Sequence, residues 1–139
     1  MTERQCRKNK GDAESAICQA LIRFEKEYMG RGPLEIRSFI VDDMVLVRLK
    51  GVLTQAEIKL AEVEEGPRGR YLLKQVRQEL LERGRPLLEV AIRDILGVDV
   101  VSVHTDISTR TGERIIVFTL ERPPTLESRQ SVTIATAGE

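Results

Sequence analysis

The chain has 139 residues, the size of one ordinary domain. A domain of that length buries roughly 65–70% of the surface its unfolded chain exposes, so it needs no metal or disulfide to fold. Lys+Arg and Asp+Glu both count 22, and a net charge of zero removes any general attraction to nucleic acid or an anionic membrane.

Cys6 and Cys18 form no CxxC pair, and a single histidine cannot complete a zinc site with them. Both are expected as free thiols in a reducing cytoplasm, with no cofactor and no metal. The opening MTERQCRKNK is charged and has no apolar core, unlike a signal peptide. The longest apolar candidate, FIVDDMVLV, is interrupted by Asp42 and Asp43 and falls far short of the roughly 20 residues that span a bilayer. The expectation is a cytoplasmic chain that does not insert into a membrane.

Residues 1–11 read as a flexible N-terminal segment, 12–122 as a single α+β domain, and 123–139 as a disordered tail. From Asp12, a candidate N-cap, the residues Ala13, Ala16, Ile17, Ala20, Leu21, Phe24 and Tyr28 form one helical stripe. GRGP at 30–33 ends it, with Gly30 suited to a left-handed cap. LEIRSFIV and MVLVRLKG then read as a hairpin turning on Asp42-Asp43. Thr54 and Glu57 form a capping box that opens a short helix, TQAEIKLAEVEE, which GPRG breaks. A second helix is expected to bury Tyr71, Leu72, Val76 and Leu80. Gly84 and Pro86 predict a kink or restart before a stripe of Leu87, Leu88, Ala91, Ile92, Ile95 and Leu96 that ends at Gly97. VDVVSVHTDI and RIIVFTLE form a second hairpin around STRTGE, with Gly112 taking the positive φ. Pro123-Pro124 ends the last strand.

Helix, glycine and hairpin thus occur twice, at a spacing of about 67 residues from Gly30 to Gly97, in the manner of a degenerate duplication. The implied fold is α+β: a four-stranded antiparallel sheet from two hairpins, with helices mainly on one face, in helix-hairpin-helix-helix-hairpin order.

Centring the first turn on Asp42-Asp43 pairs Val41 with Met44, Phe39 with Leu46, Arg37 with Arg48 and Glu35 with Lys50. Ile36, Ser38, Ile40, Val45, Val47 and Leu49 then share the helix-facing side. The other side is apolar near the turn and charged farther away, and Arg37 beside Arg48 is an unfavourable like-charge pair unless an anion lies near. In the second hairpin His104 and Asp106 share a face with Val100, Ser102 and Ser108. The turn length leaves its register open by one residue, so that face also receives either Ile116 and Phe118 or Ile115 and Val117. A helix could fold across the second face. Otherwise Phe39, Val41, Met44 and Leu46 are exposed as a partner-binding patch, for a homodimer or another protein.

HTDISTRTGER, residues 104–114, concentrates the polar chemistry. His104 with Asp106 has the form of an oriented general base, but no nucleophile is fixed beside them by sequence, so no catalytic residue is assigned. The plainer reading is a half-buried histidine bonded to a hydroxyl or to Asp106. Arg37, Arg48, His104, Asp106 and Arg110, with Arg114 beside the turn, form a candidate anion or polar site. Helices on a four-stranded sheet also occur in RNA-binding modules, which need exposed aromatics. Only Phe39 and Phe118 are available here, and nucleic acid is not an expected partner.

FEKEYMGRGP, VDDMVLVRLKGVLTQAE, RPLLE and VHTDISTRTGERIIVFTL together resemble a group of small bacterial proteins, once grouped as a domain of unknown function. They are now labelled MpsC-like, after a Na+-translocating membrane-potential-generating system. The resemblance spans roughly residues 13–121, and GPRG departs from the family's more continuous helix. It implies association with a cation and inorganic-carbon transport system and brings no catalytic residues with it. Translocation needs a membrane-spanning path, so the resemblance implies an accessory protein, either a regulator or a cytoplasmic subunit docking on a membrane transporter. The alternatives are a small-anion sensor for bicarbonate or a phosphate-type ligand, an RNA-binding module, and an enzyme using His104 and Asp106.

Overall fold

The computed structural model describes residues 9–62 and 68–127. Cys6, the Gly66-Pro67 half of the GPRG break and the tail beyond Glu127 lie outside those residues. The element order is α1 (Lys10–Phe24) running into a π-helical turn (Glu25–Met29), β1 (Glu35–Val41), β2 (Met44–Lys50), α2 (Gln55–Ala61), α3 (Arg68–Leu96), β3 (Val100–Ile107) and β4 (Arg114–Leu120). One antiparallel sheet has the order β1-β2-β4-β3, two hairpins joined through their second strands. The α+β architecture is the one the sequence implies.

Helix α1 starts earlier than its apolar stripe suggests. Asn9, not Asp12, is the N-cap; its Oδ1 accepts from the Asp12 backbone N–H at 2.7 Å. The stripe itself holds, with Ala13, Ile17, Ala20, Leu21 and Phe24 buried. The helix therefore begins inside the segment expected to be flexible. The chain beyond β4 returns to that start: Lys10 N–H donates to the Glu127 carbonyl at 3.0 Å, and Leu126 packs on the core. Gly30 at φ 93° and Gly97 at φ 73° follow the helical segments that precede the two hairpins, so the repeated helix-glycine-hairpin order is present in three dimensions.

Helix α3 departs most from expectation. It runs unbroken through Gly84 and Pro86. Pro86 cannot donate to the Glu82 carbonyl, but both residues are exposed, so water can take that role. Its buried stripe is Gly69, Leu73, Arg77, Leu81, Gly84, Leu88, Ile92 and Leu96. Tyr71, Leu72 and Val76 are exposed instead, as is Leu87. The apolar pattern misleads there because a charged residue, Arg77, occupies the middle of the buried stripe.

In the first hairpin every expected pair forms, from Val41↔Met44 to Glu35↔Lys50. Asp42 takes a positive φ of 53° in the two-residue turn. In the second hairpin the register is fixed by Ser102↔Thr119, His104↔Val117 and Asp106↔Ile115. Ile40, Val45, Val47, Leu49, Ile116, Phe118 and Leu120 form the core face beneath α1 and α3. Phe118 is fully buried there and unavailable for base stacking. The free edge of β1 is guarded by α1: the Glu14 carboxylate accepts from the Ile40 backbone N–H at 2.9 Å, and the Glu14 carbonyl accepts from Ser38 Oγ at 2.6 Å. A carboxylate on an edge N–H removes a donor that another strand could use.

Candidate functional site

The alternation of β-strand side chains places three rows on the face away from the helices. Pairing carries them across all four strands in the order β1, β2, β4, β3. The rows are Val41–Met44–Thr119–Ser102, Phe39–Leu46–Val117–His104 and Arg37–Arg48–Ile115–Asp106. Val41 is 47% and Met44 38% exposed, while Phe39, Leu46, Ile115 and Val117 are half-buried. Among the described residues no helix crosses this face. It is an apolar centre with a cationic corner at Arg37 and Arg48 and a carboxylate at the far edge.

The polar flank is divided. Arg48 forms an ion pair with Glu113. The Arg37 guanidinium lies over the Phe39 ring, 5.6 Å from its centroid. Asp106 accepts from Lys74 Nζ at 3.1 Å; that bond is the largest influence holding its carboxyl below the ordinary range, against slight burial. His104 Nε2 lies 3.1 Å from Ser102 Oγ, a hydroxyl partner as the plainer reading has it, but the ring is exposed rather than half-buried. Asp106 is engaged elsewhere, so no His104–Asp106 dyad forms. Ser102, two residues before His104 on the same face, also contacts the Thr119 hydroxyl. Among the described residues no carboxylate bonds to the ring of this exposed Ser–His contact. Arg110 lines a groove with Leu53, Ile58 and Ala61. Of the five residues read as one anion site, Arg37, Arg48, His104 and Asp106 thus share the open face, and Arg110 lies in the β3–β4 loop.

A second polar cluster lies under the sheet, where sequence reading placed none. Arg114 pairs with Leu49 and Ile107, so alternation turns it toward the helices, opposite Arg37 and Arg48. Its side chain and that of Arg77 are each 2% exposed, and Glu25 in the π-helical turn is fully buried. Arg77 grips Glu57 with two bonds, donates to the Val52 carbonyl at 2.9 Å, and reaches Glu25 Oε1 at 3.5 Å. Arg114 Nη1 stands 3.6 Å from Glu25 Oε2, and neither atom has a hydrogen-bond partner among the described residues. Burial is the largest influence on Glu25 and raises its carboxyl above the usual range; Arg114 and Arg77 only partly offset it. Burial likewise lowers the Arg114 guanidinium from its ordinary value, with Glu25 opposing.

A family model described as "Na+-translocating membrane potential-generating system (MpsC)" matches residues 9–122. The chain belongs to the MpsC family. It is also 44% identical over 114 residues to "Uncharacterized protein YbcI" of Bacillus subtilis (strain 168), covering 82% of this chain and 90% of that protein. No solved structure matches. In this MpsC-family chain no helix among the described residues is long and apolar enough to cross a membrane.

Two sequence signals could have found the buried cluster of this MpsC member. Counting back by fours from Leu81 reaches Arg77 and Leu73, and counting by twos from Phe118 through Ile116 reaches Arg114. The same count finds Glu25: stepping by fours from Ala13 through Ile17 and Leu21 reaches Glu25 and then Met29, all buried.

Proposed function

We propose that this chain is a non-enzymatic accessory or regulatory protein that works by contact through its helix-free sheet face, and that the first occupant of that face is a second copy of itself. The observation that carries the reading is the partly exposed patch of Phe39, Val41, Met44 and Leu46, continued by Ile115 and Val117. Contiguous apolar patches rimmed by charge mark interaction surfaces.

Charge placement favours self-pairing. In a face-to-face pair related by a two-fold axis along the strands, the rows stay in register while left and right exchange. Arg37 of one copy then opposes Asp106 of the other, twice. Leu46 opposes Val117, and Phe39 opposes His104. A two-fold axis across the strands instead sets Arg37 on Val41 and Arg48 on Met44. The first arrangement satisfies both the charges and the apolar centre, and two sheets packed this way follow ordinary aligned packing.

In the cytoplasm such a dimer would serve the Na+-translocating system named in the family's description, docking on a membrane transporter. The test is the mass in solution of the full chain and of Leu46→Glu. The wild type is expected as a dimer, and the variant as a folded monomer with unchanged circular dichroism. A carboxylate buried in the apolar centre should weaken the dimer by roughly 2–3 kcal/mol, about a hundredfold. A wild type that stays monomeric at high concentration removes the self-pairing reading. Sedimentation with native membranes then tests the transporter part: wild type bound and Leu46→Glu released supports it, and neither bound removes it.

A further inference from the structure

We propose that the groove between the end of α2 and the β3–β4 loop binds a free amino acid with an apolar side chain. None of its lining residues belongs to the three rows of the open face, so the site goes beyond the accessory reading. The groove has about 290 Å³ of free volume and is lined by Leu53, Ile58, Ala61, Glu62, Thr109 and Arg110 among others. That is close to the lower end of the roughly 300–1,000 Å³ found for small-molecule sites.

The lining has three parts, and each matches one part of such a ligand. The floor is apolar, with Leu53 buried and Ile58 and Ala61 half-buried. Glu62 is the C-cap of α2, four residues after Ile58, so Ile58, Ala61 and Glu62 share one side of that turn and a carboxylate stands at the end of the floor. The other wall is the loop, where Arg110 is exposed. Among the described residues neither the Glu62 nor the Arg110 side chain has an ion pair or a hydrogen bond. Arg48, Arg77 and Arg114, by contrast, each face a carboxylate.

The two charges select the ligand. A simple anion would meet Glu62, and a simple cation would meet Arg110. A purely apolar ligand would draw both charges out of water with nothing to bond them. A zwitterion gives its carboxylate to Arg110, whose guanidinium can form two parallel bonds with it, and its ammonium to Glu62. Its side chain then covers Leu53, Ile58 and Ala61. The Thr109 hydroxyl lines the same wall as Arg110 and can donate to the carboxylate.

Isothermal titration of the full chain with leucine, isoleucine and phenylalanine tests the site. Saturable heat is expected for at least one of them. Isocaproate lacks the ammonium of leucine and isoamylamine lacks its carboxylate, so each should bind about tenfold more weakly. Glycine, which has nothing to cover the floor, should give no heat. Arg110→Gln and Glu62→Gln, both at exposed positions, should keep the wild-type circular dichroism and weaken binding about tenfold each. Leu46→Glu should leave the affinity unchanged, which separates this site from the open face. No heat from any of the three amino acids at millimolar concentration overturns the proposal; that is the result if Arg110 and Glu62 close on each other instead. So does equal affinity in Arg110→Gln and wild type, or isocaproate bound as tightly as leucine.

Discussion

Arg77 and Glu57 meet through two parallel hydrogen bonds, Nε to Oε2 at 2.9 Å and Nη2 to Oε1 at 2.7 Å, across the seam between α3 and α2. The same carboxylate closes the α2 capping box by accepting from the Thr54 backbone N–H at 2.8 Å. One side chain therefore starts a helix and holds a buried cation. Removing its charge should cost about 3 kcal/mol, because Arg77 loses its best partner while staying buried. Removing only the cap hydroxyl, in Thr54→Ala, should cost about 1 kcal/mol. Urea unfolding of Glu57→Gln and Thr54→Ala measures both. Equal losses would mean that the fork contributes nothing beyond the cap.

The two buried-cluster acids should respond to pH with opposite sign. Burial dominates for Glu25 and lifts its carboxyl above the ordinary 4.5, so the folded chain holds that proton more tightly than the unfolded chain. Its contribution to stability is full below pH 4.5 and is lost as pH rises through the folded value. For Glu57 burial also opposes the charge, but the bonds from Arg77 and Thr54 together outweigh it and lower the carboxyl. Its contribution is present above pH 4.5 and is lost as pH falls through the folded value. The stability gap between wild type and Glu57→Gln should therefore hold from neutral pH down to 4.5 and narrow below it. Glu25→Gln should improve relative to wild type as pH rises above 4.5. Unfolding curves that shift in parallel for both variants would contradict the assignment.

Gly84 is required by contact rather than by backbone conformation. A Cβ there would lie 2.3 Å from Cε1 and 2.9 Å from Cζ of Phe24, whose ring is stacked on Tyr28 at 4.8 Å. Gly84→Ala gains about 1 kcal/mol of helix propensity and loses roughly 1–3 kcal/mol to overpacking. A net destabilisation of about 1 kcal/mol is expected in the wild type. In a Phe24→Leu background, where the ring edge is gone, the same substitution should become stabilising. Thermal melts of the four chains form the cycle that checks this.

These cases show what the amino-acid pattern can carry. The β1–β2 register was readable because Asp42-Asp43 leaves a two-residue turn and the flanking apolar residues alternate cleanly. In the second hairpin STRTGE allows two turn lengths, and only the pairing of His104 with Val117 decides between them. The open face followed from alternation alone. The buried cluster did not, because Arg77, Arg114 and Glu25 are charged residues at core positions and a hydrophobicity pattern assigns such residues to the surface. The same blindness displaced the first half of the α3 stripe onto Tyr71 and Val76. Pro86 failed as a break signal because helix burial from Leu81 to Leu96 outweighs one missing hydrogen bond.

Arg37 and Asp106 occupy the same row at opposite edges of the sheet, with Arg48 and Ile115 between them. If two copies meet with strands parallel to the dimer axis, reversing either charge places like charges together at two symmetric points. Arg37→Glu and Asp106→Arg should each weaken self-association about tenfold, roughly 1–2 kcal/mol for the two contacts. The double variant should recover most of that loss, because the exchanged charges would again oppose each other with opposite sign. Loss of the Lys74 contact in Asp106→Arg adds little, since Asp106 is 78% exposed and surface pairs contribute weakly. The single-variant defects should shrink at high salt, where such contacts are screened. Sedimentation equilibrium at two salt concentrations is the measurement. A double variant no better than the weaker single variant would show that the faces meet in another orientation, while loss of dimer in Leu46→Glu alone would still locate the contact on this face.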